Sequence, residues 1–276
     1  MKVIQDMQTW MGMRRDISGT VGFVPTMGAL HAGHVSLLER SVAETEVTVL
    51  SIYVNPTQFN DPNDLANYPD TLEADLAWAE KVGVDTVILP RYEDIYADGF
   101  RYSVNESEFS LGLCGANRPG HFTGVLTVVM KLLNLVSPQR AYFGKKDYQQ
   151  YVLIKDMCDA FFMPVEIIGC DTIREEDGLA MSSRNRRLDD RARAAAPGLY
   201  QVLTNASSDA AACKQLMGLG FSVDYVETVN GRRFGAVAMT NGDDPVRLID
   251  NVAMPSTLGP IRNSVNITTE QEASAG

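Results

Sequence analysis

Short apolar runs alternate with stretches of helical periodicity between residues 21 and 173. Val21–Thr26 reads as a strand ending in a turn at Met27-Gly28. Gly33–Thr45 then places Val35, Leu38 and Val42 on one helical face. Val47–Asn55 is a continuous β-rich run, VTVLSIYVN, of the kind buried on both faces of a parallel sheet. Thr71–Gly83 follows as an amphipathic helix, with Thr71 as N-cap, Gly83 as C-cap and Leu72, Leu76 and Ala79 on its apolar face. Asp85–Leu89, Ala141–Phe143 and Val165–Ile173 read as further strands, and Gly120–Val136 and Asp147–Phe162 as helices. Strand–helix–strand repetition implies right-handed crossovers and an α/β fold, a Rossmann-like doubly wound parallel sheet.

The pattern changes after Ile173. Arg174–Asn185 is polar and turn-rich, and Leu188–Asn205 and Asp209–Leu219 read as helices, the first bent or split at Pro197. Phe221–Thr228, Arg233–Met239 and Val246–Val252 read as antiparallel strands, with turn signals at Asn230-Gly231 and Asn241-Gly242. A boundary at 172–174 therefore divides the chain into a Rossmann-like domain, 1–173, and a smaller α+β C-terminal domain, 174–276. The Ser-, Thr- and Asn-rich stretch after Pro255 is expected to be loosely held.

Composition removes several function classes. The 276 residues are 45% hydrophobic and 21% charged, so the chain reads as globular rather than disordered. The net charge of −11 argues against a nucleic-acid partner and against an anionic membrane surface. Residues 61–108 alone carry a net −9, which leaves the rest of the chain close to neutral, and the candidate phosphate-contacting stretches described next are expected to lie outside this acidic block. Arg184, Arg186, Arg187, Arg191 and Arg193 form a local basic cluster. No leader-like segment is seen, and no apolar run reaches the ~20 residues needed to span a bilayer. Cys114, Cys158, Cys170 and Cys213 are widely spaced without a CxxC pair, so reduced thiols and a cytoplasmic location are expected.

The candidate chemistry begins just after the first strand. Two of the three histidines stand three residues apart, in His31-Ala32-Gly33-His34, where a helix opens. Ligands of open α/β sheets sit beyond the carboxyl ends of the strands, and a helix start there offers unpaired N–H groups to an anion. Two imidazoles at that point can donate to phosphate oxygens, and Gly33 leaves room for close approach. The HxGH pattern resembles the HIGH signature of the nucleotidyltransferase superfamily. Met181-Ser182-Ser183-Arg184-Asn185 occupies the place of that superfamily's KMSKS loop, where hydroxyls and a cation follow the departing pyrophosphate.

Five stretches narrow the resemblance. PTMGALHAGH (25–34), NPTQF (55–59), FGKKDYQQ (143–150), REEDGLAMSSRN (174–185) and RLIDN (247–251) occur in that order. Together they are similar to the pantoate–β-alanine ligase family, over about residues 20–253. The resemblance implies that pantoate attacks the α-phosphate of Mg-ATP, giving a pantoyl adenylate and pyrophosphate. The amine of β-alanine then takes the acyl group and releases AMP. It implies His34, His31, Lys146, Ser182 and Arg184 as catalytic residues. It implies an ATP site at Met27, Gly28, Ala29, Leu30, His31, Ala32, Gly33, His34, Gly144, Lys145, Lys146, Asp147, Ile173, Met181, Ser182, Ser183 and Arg184. Gln58 and Gln150 would hold pantoate or β-alanine, amides that both donate and accept being suited to a hydroxy acid. Arg118 and His121 would border the pocket, and the C-terminal domain would act as a water-excluding lid.

Asp147 can also be read as a plain N-cap. Lys145 departs from the family's usual Glu without disturbing the register of Lys146 and Asp147. Asp75 is the candidate carboxylate for Mg2+, with Ala74 where a second acid is often found, so that ATP oxygens and water would hold most of the metal. A homodimer is also implied. The competing readings are a small-molecule nucleotidyltransferase of the same superfamily and a non-catalytic nucleotide-binding protein. A nicotinamide-dependent oxidoreductase is disfavoured because no GxGxxG follows the first strand.

Overall fold

The computed structural model describes residues 1–239 and 245–255. Its N-terminal part runs β1 (Lys2–Ile4), α1 (Met7–Asp16), β2 (Val21–Thr26), α2 (Ala32–Glu44), β3 (Val47–Ile52), α3 (Pro62–Ala66), α4 (Leu72–Val82), β4 (Thr86–Ile88), α5 (Tyr92–Ile95), α6 (Cys114–Asn117), α7 (His121–Val136), β5 (Arg140–Gly144), α8 (Tyr148–Ala160) and β6 (Glu166–Cys170). The C-terminal part runs α9 (Asp190–Ala195), α10 (Gly198–Asn205), α11 (Asp209–Gly218), β7 (Ser222–Val229), β8 (Arg232–Met239) and β9 (Val246–Ala253).

Six strands form one all-parallel sheet in the order β1-β4-β3-β2-β5-β6. Its inner strands are apolar on both faces because each face is covered. Val21, Phe23, Val49, Ala141 and Phe143 pack in one core with Trp10 of α1, Leu126, Val129 and Leu133 of α7, and Ile154 of α8. Val24, Leu50, Val87 and Tyr142 turn to a second core with Leu37 and Leu38 of α2 and Ala79 of α4. The alternation of Phe23 with Val24, Val49 with Leu50, and Ala141 with Tyr142 is the two-residue period of a strand between two helix layers.

The connection order reverses beside β2. The chain winds from β2 through β3 to β4 on one side, then returns to place β5 on the other side of β2. Such a reversal opens a crevice at the carboxyl ends of the two central strands. Here those ends are Thr26 and Gly144, immediately before the histidine pair and the lysine pair.

The three remaining strands form an antiparallel sheet, β7-β8-β9, backed by α10 and α11. Leu199, Leu203, Leu216, Phe221, Val226, Val237 and Leu248 make its core. Asn230 (φ 50°) and Gly231 (φ 71°) both take positive φ at the β7–β8 hairpin, as the sequence predicts for Asn-Gly. Pro197 does separate two helices, α9 and α10. The turn expected at Asn241-Gly242 and the stretch after Pro255 lie outside the described residues.

β1 and α1 have no counterpart in the sequence reading. Asp6 caps α1 by accepting from the backbone N–H groups of Gln8 (3.3 Å) and Thr9 (2.8 Å). Trp10 is fully buried, and its indole N–H donates to the Leu135 carbonyl at 3.0 Å. The expected N-cap of α4, Thr71, makes no capping bond; its hydroxyl donates instead to Asp75.

Candidate active site

The crevice beside β2 is a cavity of about 260 Å³. Its walls include Met27, His31, Gly33, His34, Gln58, Gly144, Lys146, Asp147, Gln150, Ile173, Met181, Ser182, Ser183 and Arg184. Four stretches spread over more than 150 residues therefore converge on one space. An adjoining cavity of about 470 Å³ opens toward the antiparallel sheet and shares Arg118, His121, Lys146, Asp147, Gln150, Ser182 and Arg184.

Five of the expected nucleotide-site residues stand back from the cavity walls. Ala29 and Leu30 are buried beneath the turn, Gly28 bends it at φ 80°, and Ala32 is exposed on α2. Lys145 turns away to pair with Asp171 at 2.9 Å. Asp75 departs furthest from expectation. It is 2% exposed, and its carboxylate accepts from the N–H of Ala29 (2.9 Å), the N–H of Leu30 (2.8 Å) and the Thr71 hydroxyl (3.1 Å). Both oxygens accept hydrogen bonds that hold the left-handed Gly28-Ala29 turn, so Asp75 braces the loop from beneath. Among the described residues, no group of three or more His, Cys, Asp or Glu side chains is placed to hold a metal ion.

His31 is itself the N-cap of α2. Its Nδ1 accepts from the Gly33 N–H at 3.1 Å, which puts the proton of the neutral ring on Nε2 as a donor. Its ring centroid lies 4.1 Å from that of His34. Nδ1 of His34 is buried without a hydrogen-bond partner among the described residues. Burial, then the neighbouring His34 and Lys146, pushes His31 down to about 3; burial, with a smaller contribution from Lys146, pushes His34 down to about 4. Both are thus neutral donors near pH 7.

Gln58 sits on a single 3-10 turn, Pro56–Gln58, pressed onto α7 at Gly124. A Cβ at position 124 would overlap the Thr57 carbonyl, so only glycine permits this approach. Asn55 donates from Nδ2 to the Gln58 side-chain oxygen at 3.0 Å, orienting the amide. The Gln58 carbonyl accepts from Arg118 Nη2 (3.1 Å) and from His121 Nδ1 (2.8 Å). Arg118 also faces His121 Nε2 at 3.2 Å; a guanidinium only donates, so His121 is the neutral Nδ1–H tautomer. Burial and then Arg118 push its pKa down to about 4.

Lys146 rises from a 3-10 turn, Lys145–Asp147, with its ammonium 3.9 Å from the Asp147 carboxylate. Asp147 occupies the N-cap position of α8 yet makes no side-chain cap, which leaves its carboxylate facing both cavities. Across the space, Ser182 caps its own loop by accepting from the Arg184 N–H at 3.3 Å. Arg184 Nη2 and Arg187 Nη1 each lie 3.1 Å from Asp64 of α3. Burial alone would raise the Asp64 carboxyl, but the two guanidinium groups hold it below its usual range. Asp64 is a site residue that the sequence reading missed. It belongs to the acidic block, which was expected to stay clear of the phosphate-contacting stretches. Only its partnership with arginines 120 and 123 positions away reveals it.

Comparisons with known proteins place the chain in a family. The sequence profile of the pantoate-beta-alanine ligases matches residues 1–253. The chain belongs to the pantoate–β-alanine ligase family. It is an enzyme of that family, and it is 53% identical over 251 residues to the pantothenate synthetase of Bdellovibrio bacteriovorus, covering 91% of this chain and 98% of that one. Identity to the pantothenate synthetase of Legionella pneumophila strain Lens is 49% over 253 residues, covering 91% and 99%. Among solved structures, the pantoate-beta-alanine ligase of Francisella tularensis, complexed with beta-gamma ATP and beta-alanine, superposes with a TM-score of 0.86. It is 39% identical, and the match covers 92% of this chain and 97% of that one. Pantothenate synthetase from Thermus thermophilus gives a TM-score of 0.84 at 39% identity, covering 92% and 100%.

The three histidines carry an expected pH signature. Each has a folded pKa of about 3 or 4 against an ordinary 6.5, so the unfolded chain takes up protons that the folded chain refuses. Their contribution is complete above pH 6.5 and is lost as pH falls from there toward 4. The urea midpoint is expected to drop steadily between pH 6.5 and 4.5, and less steeply in His121→Gln. A midpoint constant across that window would rule out neutral burial of these rings.

Proposed function

We propose that this chain condenses pantoate with β-alanine to form pantothenate, driven by ATP through a pantoyl adenylate. The observation that carries the reading is the convergence of two neutral imidazoles, Lys146 and the MSSR loop on the crevice that also receives Gln58 and Gln150. In the first step, a pantoate carboxylate oxygen bonds to the α-phosphorus of ATP and the bond to pyrophosphate breaks. Negative charge shifts onto phosphoryl oxygens, where His31 Nε2–H, His34 and Lys146 supply preorganised donors. Ser182, Ser183 and Arg184 follow the departing pyrophosphate. Asp147, free of a capping bond, accepts from the ribose hydroxyls, and Ile173 lies against the adenine.

Gln58 and Gln150 hold the pantoate hydroxyls and carboxylate. The amine of β-alanine then approaches through the adjoining cavity, bonds to the acyl carbon, loses a proton and expels AMP. Residues 174–276 serve as the lid, because an acyl adenylate hydrolyses unless water is kept out. Magnesium would enter with ATP, held chiefly by nucleotide oxygens and water, and would neutralise part of the triphosphate charge.

Purified protein given ATP, Mg2+ and labelled pyrophosphate is expected to exchange label into ATP only when D-pantoate is added, and to release AMP once β-alanine follows. Exchange that proceeds without pantoate would sink the assignment and favour a nucleotidyltransferase.

A further inference from the structure

Two neighbouring residues of β9 reach from the antiparallel sheet to loops of the parallel one. Asp250, 3% exposed at its side chain, takes both terminal nitrogens of Arg174 at 2.6 and 2.9 Å. Asn251 is 5% exposed, and its Nδ2 donates to the carbonyls of Lys145 (3.0 Å) and Lys146 (2.7 Å). Its Oδ1 accepts from Arg232 at 2.5 Å, and the Arg232 guanidinium in turn lies 4.0 Å from the centre of the Tyr148 ring. The backbone N–H of Asn251 donates to Asp250 Oδ1 at 2.8 Å. Every polar atom of this amide side chain is therefore committed, and both of its N–H groups go to the three-residue turn that carries Lys146 and Asp147.

The turn has little else to hold it. It has no side-chain cap. The Lys145–Asp171 pair is open to solvent, with Asp171 91% exposed, and such pairs contribute little. A buried amide bridging two carbonyls is stronger because neither partner can turn to water instead.

We propose that Asn251 is a positioning residue that fixes the Lys145–Asp147 turn, and so the Lys146 ammonium and the Asp147 carboxylate, for the nucleotide. The inference deepens the proposed function and rests on it for the identity of that nucleotide. It also makes the C-terminal sheet part of the nucleotide site, because the amide on β9 sets where the lysine stands.

The test is equilibrium binding to the full chain, with β,γ-methylene-ATP and D-pantoate as separate probes. Asn251→Asp keeps the size of the side chain but points an oxygen at two carbonyl oxygens. The nucleotide analogue is expected to bind about tenfold more weakly, the scale of one lost buried hydrogen-bond partner, while pantoate affinity stays within about twofold. Asn251→Ala, which leaves room for water, reads the same split should the aspartate variant not fold. A folded variant with unchanged nucleotide affinity overturns the inference. So does equal weakening for both ligands, which marks general loosening. A wild-type chain that binds neither probe overturns the proposed function, whereas a wild type that binds both with an unshifted variant overturns the positioning role alone.

Discussion

Lys146→Ala is expected to slow pantoate-dependent adenylation by roughly 10²-fold or more, the usual loss when one preorganised charge-stabilising donor is removed. Three observations set the size. The ammonium faces both cavities, its side chain is only 18% exposed, and it is close enough to the two histidines to depress both of their pKa values. A cation in a partly dry crevice stabilises developing phosphoryl charge far better than one in water. His34→Ala should fall in the same range, because it removes a neutral donor from the start of α2. Rapid-quench measurement of a single turnover, with ATP and pantoate saturating and no amine, isolates this step. Near-normal adenylation in either variant would remove that residue from the chemistry. If only the KM for ATP rises, the residue binds nucleotide equally in ground and transition states.

The largest expected loss of stability lies far from the chemistry. Trp10→Ala should cost about 3–5 kcal/mol, the range for truncating a fully buried aromatic side chain. Trp10 joins the core beneath β2 and β5, touching the layer of α7, and its indole N–H satisfies the Leu135 carbonyl. The variant removes the packing and also strands that carbonyl. Urea unfolding followed by circular dichroism would show the midpoint moving well down. A shift worth under ~1 kcal/mol would mean that α1 is an appendage rather than part of the core.

Trp10 also shows where the sequence stops being legible. β2, β3 and β5 are readable because strands buried on both faces must be apolar without interruption. α4 is readable from its periodicity and from Gly83, which ends it at φ 95°. β1 has three residues, all at least partly open to solvent, and α1 buries only Met7 and Trp10 of its ten. Neither leaves a periodic signal. Within the site, residues that follow a strand end directly are readable, because chain geometry alone delivers them to the crevice. Asp64, Asp75 and Asn251 are not. Each acts through a partner distant in sequence, and a carboxylate that accepts backbone N–H groups looks the same in one dimension as one that binds a metal. That ambiguity is why Asp75 reads as a metal ligand in the sequence, while in the structure it accepts the backbone N–H groups of Ala29 and Leu30. Asn251 stands within the RLIDN stretch, but its use depends on a tertiary contact.

The pairing of Asp64 with Arg184 and Arg187 changes what nucleotide arrival entails. A guanidinium already matched to a carboxylate gains only the difference between two anionic partners when phosphate replaces the first. Under the proposed function, ATP capture at this loop would be an exchange of anionic partners for the arginines. Asp64, once released, would be left as a bare carboxylate on a short helix. The five-residue α3 would then be a counterion tethered to the chain, answering to the charge of the bound nucleotide.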